Sequence, residues 1–172
     1  DCLRAEADLA RAEGDLPRAV DRFAAAAAIA AAESPVVGGL YASVLMHWAT
    51  VKAEAGQLAE AYAMQQQLAE ANRRYGRADA LVDLQNRRGM ALTLIGWGEL
   101  DEAGMLLEAI AGRLGDDSSG LLPAWLEVPR ARVLARRGQA DTAAHRLRTL
   151  AVAARQRASL RNAVAAEAAL VE

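Results

Sequence analysis

"GELDEA", Gly98 to Ala103, decides the fold because its skeleton, Gly-x-Leu-x-x-Ala, recurs along the chain. "GDLPRA" opens at Gly14 and "GQLAEA" at Gly56, while "GQADTA" at Gly138 keeps the Gly and Ala and sets Ala140 in the Leu place. The four glycines stand 42, 42 and 40 positions apart, and each is followed five residues later by alanine: Ala19, Ala61, Ala103 and Ala143. A shared period of this size predicts a stack of similar units, each burying its apolar face against its neighbours.

The residue types fit the elbow of a helical hairpin. A helix that ends at glycine takes a left-handed residue there without a Cβ penalty, so the chain turns sharply. A polar residue follows (Asp15, Gln57, Glu99, Gln139), and an acid in the first turn of the next helix suits its dipole. The alanine then falls where two helices approach closely, and the leucine closes the apolar seam. From these signals the helices are expected at Leu3–Glu13, Leu16–Glu33, Leu40–Ala55, Leu58–Arg74, Ala78–Trp97, Leu100–Leu114, Ala124–Arg137 and Ala140–Arg155. Ala158–Val171 would begin a fifth hairpin. "SPVVGG" (Ser34 to Gly39) and "GDDSSGLLP" (Gly115 to Pro123) read as linkers, and Pro129 is expected to kink its helix or delay its start.

Composition agrees. Alanine, the best helix former, is the commonest residue, and no stretch sustains the alternation of a strand. The class is all-α: a right-handed superhelical solenoid of antiparallel hairpins over 1–172. The net charge of −2 exerts no general pull toward nucleic acid or an anionic membrane. A lone cysteine, Cys2, makes no internal disulfide and points to a reducing, cytoplasmic setting. "FAAAAAIAAA" (Phe23 to Ala32) is too short and too weakly apolar to span a bilayer.

The pattern resembles the tetratricopeptide repeat (TPR), which pairs the elbow Gly and Ala with a large apolar residue four after the Ala. Here that place reads Phe23, Gln65, Leu107 and Leu147, so the second repeat departs. The preceding helix should offer a large and a small residue eight and seven before the Gly. Trp48–Ala49 and Met90–Ala91 fit, whereas Glu6–Ala7 and Arg130–Ala131 fit only at the small position, which leaves the register of repeats one and four open. The usual period is about 34; the longer one here is similar to the repeats of kinesin light chains and of bacterial MalT-like transcription regulators.

The resemblance implies a concave groove lined by the first helix of each pair. The partner-binding positions would be Arg11, Met46, Thr50, Gln85, Arg88, Leu92, Trp125, Arg132 and Arg136, flanked by Arg4, Asp8, Ser43, Glu54, Ile95 and Val128. Several guanidiniums among few acids suit the carboxylates of an acidic peptide, although the same arginines also read as an ordinary solvated face. From Arg130 to Arg161 nine arginines face one acid, Asp141, yet at 100° per residue they scatter around their helices. No aromatic stacking platform accompanies them, so nucleic acid is not the expected partner.

Chemistry is sparse. His47 and His145 lie in different repeats without a ligand at metal spacing, and Cys2 has no base nearby. "GDDSSG" lacks the Gly-Lys-Ser/Thr ending of a phosphate loop and the closing Glu of a calcium loop. No catalytic residue, metal or cofactor is therefore assigned. The leading expectation is a non-catalytic scaffold module that holds a protein or peptide within a regulatory or signalling protein. The alternative is a ligand-sensing arm of a multidomain bacterial transcription regulator or ATPase. Because the chain starts and stops inside hairpins, it reads as a segment of a larger protein whose uncapped ends invite self-association.

Overall fold

The structure is a computed structural model and describes residues 2–33, 39–75, 80–114, 123–156 and 166–170. Among these it is all-α, with eight helices of eleven residues or more: α1 (Cys2–Ala12), α2 (Leu16–Glu33), α3 (Gly39–Glu54), α4 (Leu58–Tyr75), α5 (Ala80–Trp97), α6 (Leu100–Leu114), α7 (Ala124–Arg136) and α8 (Ala140–Gln156). The expected bounds hold to within two residues. The "GDDSSG" loop and most of the expected fifth hairpin lie outside the described residues. No helix among the described residues is long and apolar enough to cross a membrane.

The elbows form for the reason the glycines suggested. Gly14, Gly56, Gly98 and Gly138 have φ of 82°, 80°, 91° and 80°, the left-handed region that a Cβ disfavours. Space is not the constraint, since a Cβ at any of the four would meet no atom within 4 Å. At three elbows the same pair of bonds closes the helix: Gly14 N–H to Arg11 O and Asp15 N–H to Ala10 O, with equivalents at Gly56–Gln57 and Gly138–Gln139. This is the Schellman arrangement, which satisfies carbonyls that the helix end would otherwise strand. The polar residue after the glycine is then the N-cap of the next helix. Its carbonyl accepts the N–H of the recurring alanine, in Ala19–Asp15, Ala61–Gln57, Ala103–Glu99 and Ala143–Gln139, at 3.0–3.1 Å.

All four elbow alanines are buried, at 0, 0, 0 and 4 % exposure. So are the small residues seven before each glycine, Ala7, Ala49, Ala91 and Ala131. Repeats one and four therefore share the register of the other two, despite Glu6 and Arg130 in the large position. Gln65 is buried like Phe23, Leu107 and Leu147. It is tolerated there because its carboxamide accepts the Thr93 hydroxyl at 3.2 Å and its backbone oxygen accepts Asn86 Nδ2 at 2.9 Å. Pro129 neither delays nor shortens the start of α7, which begins at Ala124 with Pro129 buried inside it.

The chain divides into two compact units, Asp1–Trp97 and Gly98–Glu172. In unit 1 each of α1 to α4 packs on its successor, and α3 also packs on α5. Its core joins Ala7, Ala10, Phe23 and Ala27 of the first hairpin to Val44 and Val51 of α3. In unit 2, α7 packs on α6 and on α8. There Ala131 meets Ala143 and Leu147, and Ala124 meets Leu150, Ala151 and Ala166.

Candidate functional site

The expected groove positions divide between the units. In unit 1, Arg11 of α1 is half-buried and reaches α3, donating from Nε and Nη2 to the two Glu54 carboxylate oxygens at 2.7 and 2.5 Å. The hydrogen bond with Glu54 raises the Arg11 pKa against the opposing pull of burial. This bidentate pair ties two first helices together. Met46 and Thr50 are half-buried on α3, where the Thr50 hydroxyl donates to Met46 O at 2.9 Å. Gln85 is exposed on α5, and Arg88 and Leu92 are half-buried there. Since α3 touches α5, unit 1 brings the two helices carrying these five positions together.

In unit 2, Trp125 and Arg132 are half-buried and Arg136 is exposed on α7. One flanking position is core and another is partly covered. Ile95 is buried, and Val128 packs against Ala131, Ala143 and Leu147. A stripe assigned by helical spacing alone overreaches at its edges, where the neighbouring helix closes over it.

His47 is a packed residue: its Nδ1 is 2.7 Å from Ser43 O and its ring stacks on Phe23 at 6.2 Å. Lys52 is buried, with Nζ bonded to Gln57 Oε1 at 3.0 Å and Glu60 Oε2 at 2.5 Å and lying over the Trp48 ring at 5.5 Å. No group of three or more His, Cys, Asp or Glu is placed to hold a metal among the described residues.

A further cluster of charge lies elsewhere, in unit 2, and sequence reasoning missed it. Arg130, in the place where Trp48 and Met90 stand in repeats two and three, donates from Nε and Nη2 to Glu108 of α6 at 2.8 to 3.1 Å. Its Nη1 bonds Glu127, a buried acid that Arg146 also approaches at 3.6 Å. Burial pulls the Arg130 pKa down most strongly, but the Glu108 bond and the charges of Glu127 and Glu108 together carry it above its ordinary value. Arg137 donates to Leu100 O at 3.0 Å and to Asp101 at 2.5 Å. The signal that would have found the cluster is a column comparison: Gly104 and Arg137 fall where Tyr62 and Trp97 fall one repeat earlier.

No family model matches the chain, and no curated protein and no solved structure matches it. The elbows and the faces that they position are thus the ground for any functional reading.

Proposed function

We propose that the chain is a non-catalytic, TPR-like binding module in which nested hairpins present the first helix of each pair to a protein or peptide partner. The observation that carries this reading is the contact between α3 and α5 alongside contacts between successive helices. Hairpins that nest in register place their first helices side by side. Helices that gather around one central core do not need elbows of a single geometry, and here the φ of all four elbow glycines lies between 80° and 91°. Each unit offers apolar side chains together with guanidiniums: Met46 and Leu92 with Arg88 in unit 1, and Trp125 with Arg132 and Arg136 in unit 2. That combination suits an acidic amphipathic segment, whose carboxylates take bidentate bonds while its apolar side desolvates.

The reading is tested by retention on an immobilised octaglutamate peptide. Arg88→Glu combined with Arg132→Glu is expected to abolish retention with helicity unchanged, while Arg73→Glu with Arg148→Glu, at exposed second-helix positions, leaves it intact. Retention that survives the first pair, or falls equally with the second, would remove the first-helix face as the binding surface.

A further inference from the structure

Unit 2 contains a cleft of about 470 Å³ between α6 and α7, bordered by Arg146 of α8. That volume lies within the range of ligand sites, about 300–1,000 Å³. Leu107, Val133 and Leu134 line it, and Met105, 66 % exposed, stands beside them. Gly104 also lines the cleft. Gly104 occupies the place that Val20, Tyr62 and Ala144 hold in the other repeats. In unit 1, Tyr62 fills the equivalent place and meets Trp97 edge-to-face at 5.9 Å. In unit 2 the aromatic pair is replaced by a missing side chain and Arg137, whose Nη2 comes within 3.2 Å of where a Gly104 Cβ would lie.

Arg130, Arg137 and Arg146 all border this cleft, and the acids that hold them differ sharply in burial. Glu127 is buried and fixes Arg130 from behind. Glu108 and Asp101, on the α6 side, have side chains 65 % and 93 % exposed, whereas the Arg130 side chain is only 13 % exposed. An exposed acid returns to water at little cost. A largely buried guanidinium still needs a carboxylate in its place.

We propose that the cleft is a docking site for a peptide carboxylate flanked by an aliphatic or aromatic side chain, with Glu108 and Asp101 as the intramolecular carboxylates that it displaces. The two acids display the geometry the site accepts: Glu108 offers both oxygens to Arg130, and Asp101 offers one to Arg137. The apolar lining takes the adjoining side chain, which inorganic phosphate lacks. None of the cleft residues belongs to the first-helix positions proposed above for the partner, so the two sites stand or fall separately.

Fluorescence anisotropy with the whole chain tests this, using two fluorescein-labelled probes. Ala-Gln-Asn-Leu with a free C-terminus carries only the terminal carboxylate, and Ala-Glu-Asp-Leu-amide carries only side-chain carboxylates. At least one should bind, and the stronger identifies the source of the carboxylate. Gly104→Tyr, which restores the residue found one repeat earlier, should weaken that probe at least tenfold. Glu108→Gln should tighten it about two- to fivefold, the worth of an exposed ion pair. Arg137→Gln gives a second loss-of-binding variant should the tyrosine disturb folding, and Arg88→Glu should change nothing. The proposal is overturned if neither probe binds at millimolar concentration. It is equally overturned if Gly104→Tyr and Arg137→Gln leave affinity unchanged, or if inorganic phosphate competes as well as the peptide does.

Discussion

The α4–α5 joint of unit 1 and the α6–α7 joint of unit 2 are built from the same repeat positions and filled by opposite chemistry. In the first, Tyr62 and Trp97 meet as rings, and Leu58 packs on Gly96, whose Cβ position is 3.3 Å away. In the second, Gly104 contributes no side chain, Arg137 lies across the gap, and the carbonyl of Leu100 accepts a hydrogen bond from its guanidinium. The elbows beside the two joints scarcely differ in backbone. Backbone periodicity therefore fixes where helices meet and leaves open what fills the meeting. The aromatic joint is neutral and leaves Trp97 47 % exposed, whereas the arginine joint holds a charge.

Four substitutions break or sharpen that contrast. The largest effect is expected at Leu107, fully buried beneath the unit 2 cleft: Leu107→Ala should cost about 2–5 kcal/mol through lost burial and a cavity. Its counterpart change, Gln65→Leu, should move stability by only about 1 kcal/mol, because Thr93 keeps a second acceptor in Gly89 O at 3.1 Å. Denaturant melts of both variants check the pair, and equal losses would mean that the two places are not equivalent. Next, Tyr62→Gly converts the aromatic joint into the open one. It should cost roughly 1.5–2.5 kcal/mol, from a glycine inside a helix and the loss of a ring pair. An unchanged melting midpoint would show that the Tyr62–Trp97 contact contributes nothing. The smallest effect is a gain. Gly104→Ala should stabilise by up to about 1 kcal/mol from helix propensity, since only the flexible end of Arg137 stands in its way. A loss of similar size would mean that Arg137 cannot move aside.

Much of this fold was legible because it rests on backbone constraints with few chemical solutions. A left-handed elbow calls for glycine, a close crossing calls for alanine, and both recur in step. Gln65 and Arg130 broke the apolar pattern without breaking the register, since each found partners: Thr93 and Asn86 for one, Glu108 and Glu127 for the other. The surface was less legible. Helical spacing placed Met46, Thr50, Arg88 and Leu92 on two touching helices, but it could not tell that Ile95 is covered. The cleft escaped notice altogether, because its lining includes a glycine, Gly104, and arginines that reach across from another helix.

The closed hydrogen bonding of the elbows bears on how the chain reaches this form. At Gly14, Gly56 and Gly138 the terminating bonds span no more than six residues. Most packing partners are helices adjacent in sequence, so few native contacts require distant segments to find each other. Low contact order of this kind is associated with rapid folding. The hairpins α1–α2, α3–α4 and α7–α8 then close through local contacts, and a lesion in one should slow its own assembly far more than that of the rest.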